Sequence, residues 1–204
     1  SRYTGATPER IECMLERRDG MVELPRGAVG LLRQRISEAG MEVTFEDRRC
    51  LLQPLNIRAA IDLRPYQAEA VRCMVRGVQG SVVMPCGGGK TAAGTAAIAA
   101  VGQPSLVIVH TQDLMDQWRQ SIQRILGVKA GVVGGGVNEP GPITVATVQT
   151  LVRLEPAVMA DLAARFGCVI TDECHHAPAA IFQTVLAQLP AHFRFGLTAT
   201  PERE

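Results

Sequence analysis

The sequence predicts an α/β protein, a mostly parallel sheet flanked by helices with a small mixed α/β module before it. Three observations predict it. From Leu63 onward, apolar runs of four to six residues alternate with helix-length segments, and runs that lack a period-2 pattern suit strands covered on both faces. The segment MPCGGGKT, Met84–Thr91, sets a glycine turn between an apolar run and an alanine-rich stretch. The apolar run Cys168–Thr171 ends in two adjacent acids, Asp172 and Glu173.

The region before about residue 60 has a different texture, with 10 Arg, 9 acidic residues and no Lys. It reads as a small accessory module, residues 1–60, ahead of a main domain, residues 61–204. A helix is expected around Pro8–Arg17, a strand at Met21–Leu24, a helix over Ala28–Ala39 and a strand at Met41–Phe45, with breaks at Gly20, Pro25, Gly27 and Gly40. Gln53–Ile61 serves as connector. Arg33 with Arg35, and Arg48 with Arg49, have two readings: phosphate contacts, or solvated faces balanced by nearby acids.

In the main domain the expected strands are Ser81–Met84, Ser105–Val109, Ala130–Val133, Ile143–Ala146, Cys168–Thr171 and Phe193–Leu197. Helices fill Pro65–Val78, Lys90–Val101, Asp113–Leu126, Pro156–Phe166 and Ala179–Leu189. Trp118 falls in step with Leu114 and Ile122 and reads as core.

Composition bounds the classes. At 47% hydrophobic, 20% charged and net charge +1, the 204 residues are an ordinary globular composition with room for a real core. No stretch approaches 18 uninterrupted apolar residues, and Glu9, Glu12 and Glu16 do not suit a secretory or transit leader, so a cytoplasmic location is expected. The six cysteines form no CxxC pair, which argues for reduced thiols over disulfides or structural zinc. Near-zero charge means that any nucleic-acid contact is local. With aromatics at 4%, a track of stacked bases is not expected, and a strand would be gripped through its backbone.

The chemistry sits in the two motifs. A strand, a glycine loop and a helix start form an anion site, because loop N–H groups and the positive helix end converge on phosphates. Here Cys86, Gly87, Gly88 and Gly89 form the loop. Lys90, one of two lysines, would reach the β and γ phosphates of a nucleotide, and the Thr91 hydroxyl would ligate Mg²⁺. The strict GxxxxGK[ST] pattern has Gly where this chain has Met84. At the second motif, Asp172 is the metal residue and Glu173 the base for an attacking water. Cys174, His175 and His176 are consecutive, which does not suit convergence on one zinc ion. His175 reads as a hydrogen-bonding relay, or as a packed side chain. Cys86 lacks a base partner for a nucleophilic role.

LRPYQ (63–67), PCGGGKT (85–91), VIVHTQDLMDQW (107–118), TVATVQTL (144–151), TDECHH (171–176) and GLTATP (196–201) stand in one order. That series resembles the motifs of superfamily 2 helicases, and within them the xeroderma pigmentosum group B-type (Rad25-like) DNA helicases and related bacterial and phage proteins. The resemblance covers about residues 61–204, and the first 60 only weakly suggest the damage-recognition-like module of that family.

The resemblance implies a RecA-like P-loop domain of an ATP-dependent DNA helicase or translocase that uses ATP and Mg²⁺. It implies that Gln67 reads the adenine edge with Arg64 near the base. Thr111, Gln112, Thr147 and Gln149 would hold a nucleic-acid backbone, with helix capping by Thr111 or Thr147 as the competing reading. Thr198 and Thr200 would couple the two sides. A second RecA-like domain is expected to complete the ATP site, so residues 1–204 alone are expected to bind ATP weakly, if at all, and not to unwind DNA. A duplex translocase of a restriction or repair assembly, and a nucleotide-dependent binding module without turnover, are the alternatives.

Overall fold

The computed structural model describes residues 15–16, 22–23, 26–172 and 179–199. The chain divides into two compact units, Ser1–Asp47 and Arg48–Glu204.

In the smaller unit, β1 (Leu15–Glu16) pairs antiparallel with β2 (Val22–Glu23). A 3-10 turn, Arg26–Ala28, leads into α1 (Val29–Glu38). The helix expected over Pro8–Arg17 is thus a strand at residues 15–16, and its other residues lie outside those described. Residues 41–49 run as irregular exposed chain rather than as the expected strand. Met41, Val43 and Phe45 alternate as in a strand, but alternation needs a partner ladder before it becomes one. The Phe45 ring instead lies under the Arg33 guanidinium, 4.7 Å from its centroid. Arg35 pairs with Glu38 at 3.1 Å, which favours the balanced-surface reading for that arginine.

The larger unit opens with an extended strap. Its side chains alternate, and Leu55, Ile57, Ala59, Ile61 and Leu63 pack on the main core. Leu55 N donates to Gly102 O at 2.6 Å, Ala60 N to Ile125 O at 2.8 Å and Cys50 N to Pro190 O at 2.6 Å. Gln103 brackets Leu52, accepting from its N–H at 2.7 Å and donating to its carbonyl at 3.0 Å. Residues 48–60, which composition groups with the N-terminal module, therefore belong by contact to the main domain.

Next come α2 (Pro65–Gly77), β3 (Gln79–Val83), α3 (Lys90–Val101), β4 (Ser105–Val109), α4 (Gln112–Leu126), β5 (Gly131–Gly134) and β6 (Val137–Glu139). The described chain then gives β7 (Ile143–Thr147), α5 (Val148–Leu151), α6 (Pro156–Ala163), β8 (Cys168–Asp172), α7 (Ala179–Ala187) and β9 (Phe193–Thr198). The sheet order is β3-β9-β8-β4-β7-β5-β6, parallel throughout except for the β5–β6 hairpin. Each strand expected in the main domain forms within two residues of its expected bounds. The short β6 and α5 are additions to the expected set, being too brief to show a period.

Alternate residues of the buried strands feed two cores. Val107 and Val109 join α2, α3 and α4 on one face, while Leu106 and Ile108 join α5, α6 and α7 on the other. Each fully buried side chain of this size contributes about 1.5–3 kcal/mol of transfer free energy. This is why the strands read as unbroken apolar runs. The order β3-β9-β8 brings the carboxyl ends of three strands side by side, and those ends carry the glycine loop, Thr198 and Asp172.

Candidate nucleotide site and strand-end loops

Gly89 caps α3 in the left-handed conformation, at φ +79°, and Gly87 has φ +72°. The positive φ favours glycine at Gly89, and a Cβ there would also press on the Gln67 side-chain amide. Gly88 N donates to Pro85 O at 2.9 Å, closing the turn, and Ala93 N to Gly89 O at 2.9 Å begins the helix ladder. Met84 N donates to Thr198 O at 3.0 Å, stitching the approach to the loop onto the end of β9. Met84, where the strict pattern has glycine, is itself buried.

A cavity of about 730 Å³ opens beside this loop. Cys86, Gly87, Gly89, Lys90, Thr91 and Asp172 form one wall, and α4 supplies the other through Leu114, Gln117, Gln120, Ser121 and Arg124. That volume is within the range of small-ligand sites. It unites the phosphate-loop residues and the acid that the sequence names. Asp172 is buried at 2% exposure, and the Trp118 indole N–H donates to its Oδ2 at 2.7 Å. Glu173, Cys174, His175, His176 and Thr200 lie outside the described residues. Thr91 O accepts from Thr95 Oγ1 at 2.7 Å, and Thr95 Oγ1 meets Ser121 Oγ at 3.1 Å, tying α3 to α4.

Arg64 and Gln67 stand outside the cavity wall. Gln67 is buried, accepts from Arg64 N at 2.9 Å through Oε1 and donates to Gly88 O at 2.9 Å through Nε2. Tyr66 Oη donates to the same carbonyl at 3.0 Å, and Arg64 donates to Tyr66 Oη at 3.2 Å. Gln67 thus closes the N-terminus of α2 and holds the loop.

The other expected loops gather at the ends of β4 and β7. Thr111 caps α4, accepting from Leu114 N at 3.2 Å. Thr147 is the N-cap residue of α5, and its hydroxyl meets Thr150 Oγ1 at 2.8 Å. Gln149, exposed, donates to His110 O at 2.9 Å and so joins the two loops. A Cβ added at Gly134 would meet Thr147 Oγ1 at 2.9 Å, and one at Gly135 would meet Gln112 Oε1 at 2.9 Å. The glycine turn after β5 therefore lies against two of the expected contact residues. Sequence reading missed that turn, the α4 wall and the role of Trp118. For Trp118 a signal existed, since a buried indole N–H needs an acceptor.

Strand, glycine turn, helix and an acid at the end of a nearby strand define a P-loop domain of the RecA-like class. Residues 60–203 match the family described as Type III restriction enzyme, res subunit, and the chain belongs to that family. A "DNA 3'-5' translocase XPB2" of Sulfurisphaera tokodaii is 38% identical over 150 residues, covering 72% of this chain and 33% of that relative. A "DNA 3'-5' helicase XPB" of Kineococcus radiotolerans is 38% identical over 149 residues, covering 70% and 27%. The chain thus spans about a third or less of these relatives' length. The UvsW helicase of bacteriophage T4 superposes with TM-score 0.66 at 20% identity, over 91% of this chain and 74% of that one. The Sulfolobus solfataricus SWI2/SNF2 ATPase core in complex with dsDNA gives 0.59 at 22% identity, over 74% and 34%. At such identities the likeness shows the fold. The resemblance to xeroderma pigmentosum group B-type members of superfamily 2 is borne out by the family match and the named relatives.

Proposed function

We propose that this chain is the first RecA-like motor domain of an ATP-dependent DNA helicase or translocase. The observation that carries the reading is the cavity walled jointly by Lys90, Thr91 and Asp172, beyond the carboxyl ends of β3 and β8, which flank β9 in the sheet. Lys90 and the N–H groups of Cys86, Gly87 and Gly89 bind the nucleotide phosphates, while Gly88, its N–H spent on Pro85 O, shapes the turn. The Thr91 hydroxyl and the Asp172 carboxylate are hard oxygen donors on one cavity, a set that suits Mg²⁺, which takes few protein ligands and keeps waters and phosphates. Bound there, Mg²⁺ would neutralise charge building on the phosphate oxygens. Glu173 takes the proton of the water that attacks the γ phosphorus as the bond to the ADP oxygen breaks, and His175 relays that change by hydrogen bonding. Arg64 and the remaining amide capacity of Gln67 face the base.

Thr111, Gln112, Thr147 and Gln149 hold the DNA backbone, and Thr198 with Thr200 couples that side to the site. The names of the relatives support DNA as substrate and 3'-5' as direction of travel. A second RecA-like domain of the same protein completes the ATP site, and the N-terminal unit, residues 1–47, serves as an accessory module. Among the described residues no helix is long and apolar enough to cross a membrane, and a cytoplasmic location belongs to this proposal.

DNA-stimulated ATPase of the full-length protein tests the reading, with Lys90→Ala and Glu173→Gln as controls. Turnover that persists in Glu173→Gln sinks the assignment of the base. Unwinding of a forked duplex against triplex displacement on intact duplex decides between strand separation and translocation.

A further inference from the structure

Trp118 is the one tryptophan of these 204 residues, and it is fully buried. Its N–H reaches Asp172 Oδ2 at 2.7 Å, and that carboxylate is itself 2% exposed. The indole cannot drift. A Cβ on Gly94 of α3 would come within 2.6 Å of its ring and 2.8 Å of Leu197 Cδ1, so the ring fills the space between α3 and the sheet. A carboxylate rotates easily about its last torsion, and a donor fixed on one oxygen sets the direction of the other. Shape alone does not require this bond, because an apolar ring would fill the same space.

We propose that Trp118 is a positioning residue for the metal-binding carboxylate: its fixed N–H holds Asp172 in the orientation that accepts Mg²⁺ with the nucleotide. This rests on the metal role proposed for Asp172. Partners behind a metal ligand commonly change metal affinity by about 10–100-fold when removed. Trp118 is fully buried and does not line the cavity, so its effect passes through Asp172.

The test replaces Trp118, in the full-length protein, with benzothienylalanine, which keeps the ring shape and exchanges the N–H for sulfur. A fluorescent ATP analogue is titrated in EDTA and then across Mg²⁺ concentrations, with Asp172→Asn in parallel and the melting temperature measured for each. The expected result is unchanged affinity in EDTA, a small change in melting temperature, and about a tenfold rise in the Mg²⁺ needed for half-maximal tightening. Should the sulfur ring leave that Mg²⁺ requirement at the wild-type value while Asp172→Asn raises it, the positioning role is overturned and the metal site stands. If Asp172→Asn also leaves it unchanged, the metal assignment falls and takes this proposal with it. Ring-fluorinated tryptophans at the same position strengthen the N–H donor, and those whose melting temperature stays at the wild-type value are compared. They must move the Mg²⁺ requirement in graded fashion, and a flat series overturns the proposal even if the sulfur variant misfolds.

Discussion

The side-chain amide of Gln67 donates to the carbonyl of Gly88 at 2.9 Å, joining the first turn of α2 to the glycine loop. The same amide accepts from Arg64 N, so one side chain closes a helix end and braces the loop proposed to bind phosphate. Gln67→Ala should therefore weaken nucleotide binding and stability together. Loss of a buried bonded amide costs about 1–2 kcal/mol, or several degrees of melting temperature for a domain of this size. Isothermal titration and thermal melts check both. Normal ATP affinity in the variant would show that the brace does not matter.

Gly94 packs against the Trp118 ring, where an added Cβ would stand 2.6 Å from the indole and 2.8 Å from Leu197. Both neighbours are fully buried, so neither can swing aside. Gly94→Ala, though favoured by helix propensity, should lower stability by about 1–3 kcal/mol through overpacking. A chemical denaturation curve with a raised midpoint would contradict this close packing.

Lys90→Ala and Glu173→Gln should fail differently. Without Lys90 the phosphates lose their cation and nucleotide binding drops. Glu173→Gln should keep binding and lose turnover by about 100-fold or more. Filter binding beside steady-state hydrolysis separates the two, and identical phenotypes would argue against distinct roles.

Thiol chemistry should follow burial. Cys73 and Cys86 are exposed, and Cys168 is buried with its pKa pushed by burial from 9.0 to about 12, partly offset by the Ser105 hydrogen bond. Alkylation followed by mass spectrometry should label Cys86 quickly, less in the presence of ATP, and Cys168 only on unfolding. The folded thiol keeps its proton at a pH where the unfolded one loses it. Its contribution is thus complete below about pH 9 and is lost as pH rises toward 12, at up to about 1.4 kcal/mol per pH unit. A Cys168→Ala variant should show a shallower loss of stability over that window.

The apolar runs could be placed from sequence because strands buried on both faces show no period-2 alternation, as in Ser105–Val109, where all five residues are buried and four are apolar. The phosphate loop could be placed because the positive φ at Gly89 favours glycine and a Cβ there would press on Gln67. Met41–Phe45 misled, since alternation records a tendency to face two environments and does not supply a partner strand. The break in composition near residue 60 misled in the same way about contacts. The strap through Leu55 and Ile61 is held by backbone hydrogen bonds and alternate side chains reaching elements far along the chain.

By itself the sequence determined the class of fold, the order of its motifs and the residues of the glycine loop and strand end that share one cavity, because those depend on local periodicity and side-chain chemistry. Tertiary structure alone decided that Gln67 braces the loop, that Gln149 ties one strand-end loop to another through the His110 carbonyl, and that Trp118 grips Asp172 across 54 positions of chain. Those contacts follow from which strands lie side by side, and no local pattern along the chain encodes the order β3-β9-β8-β4.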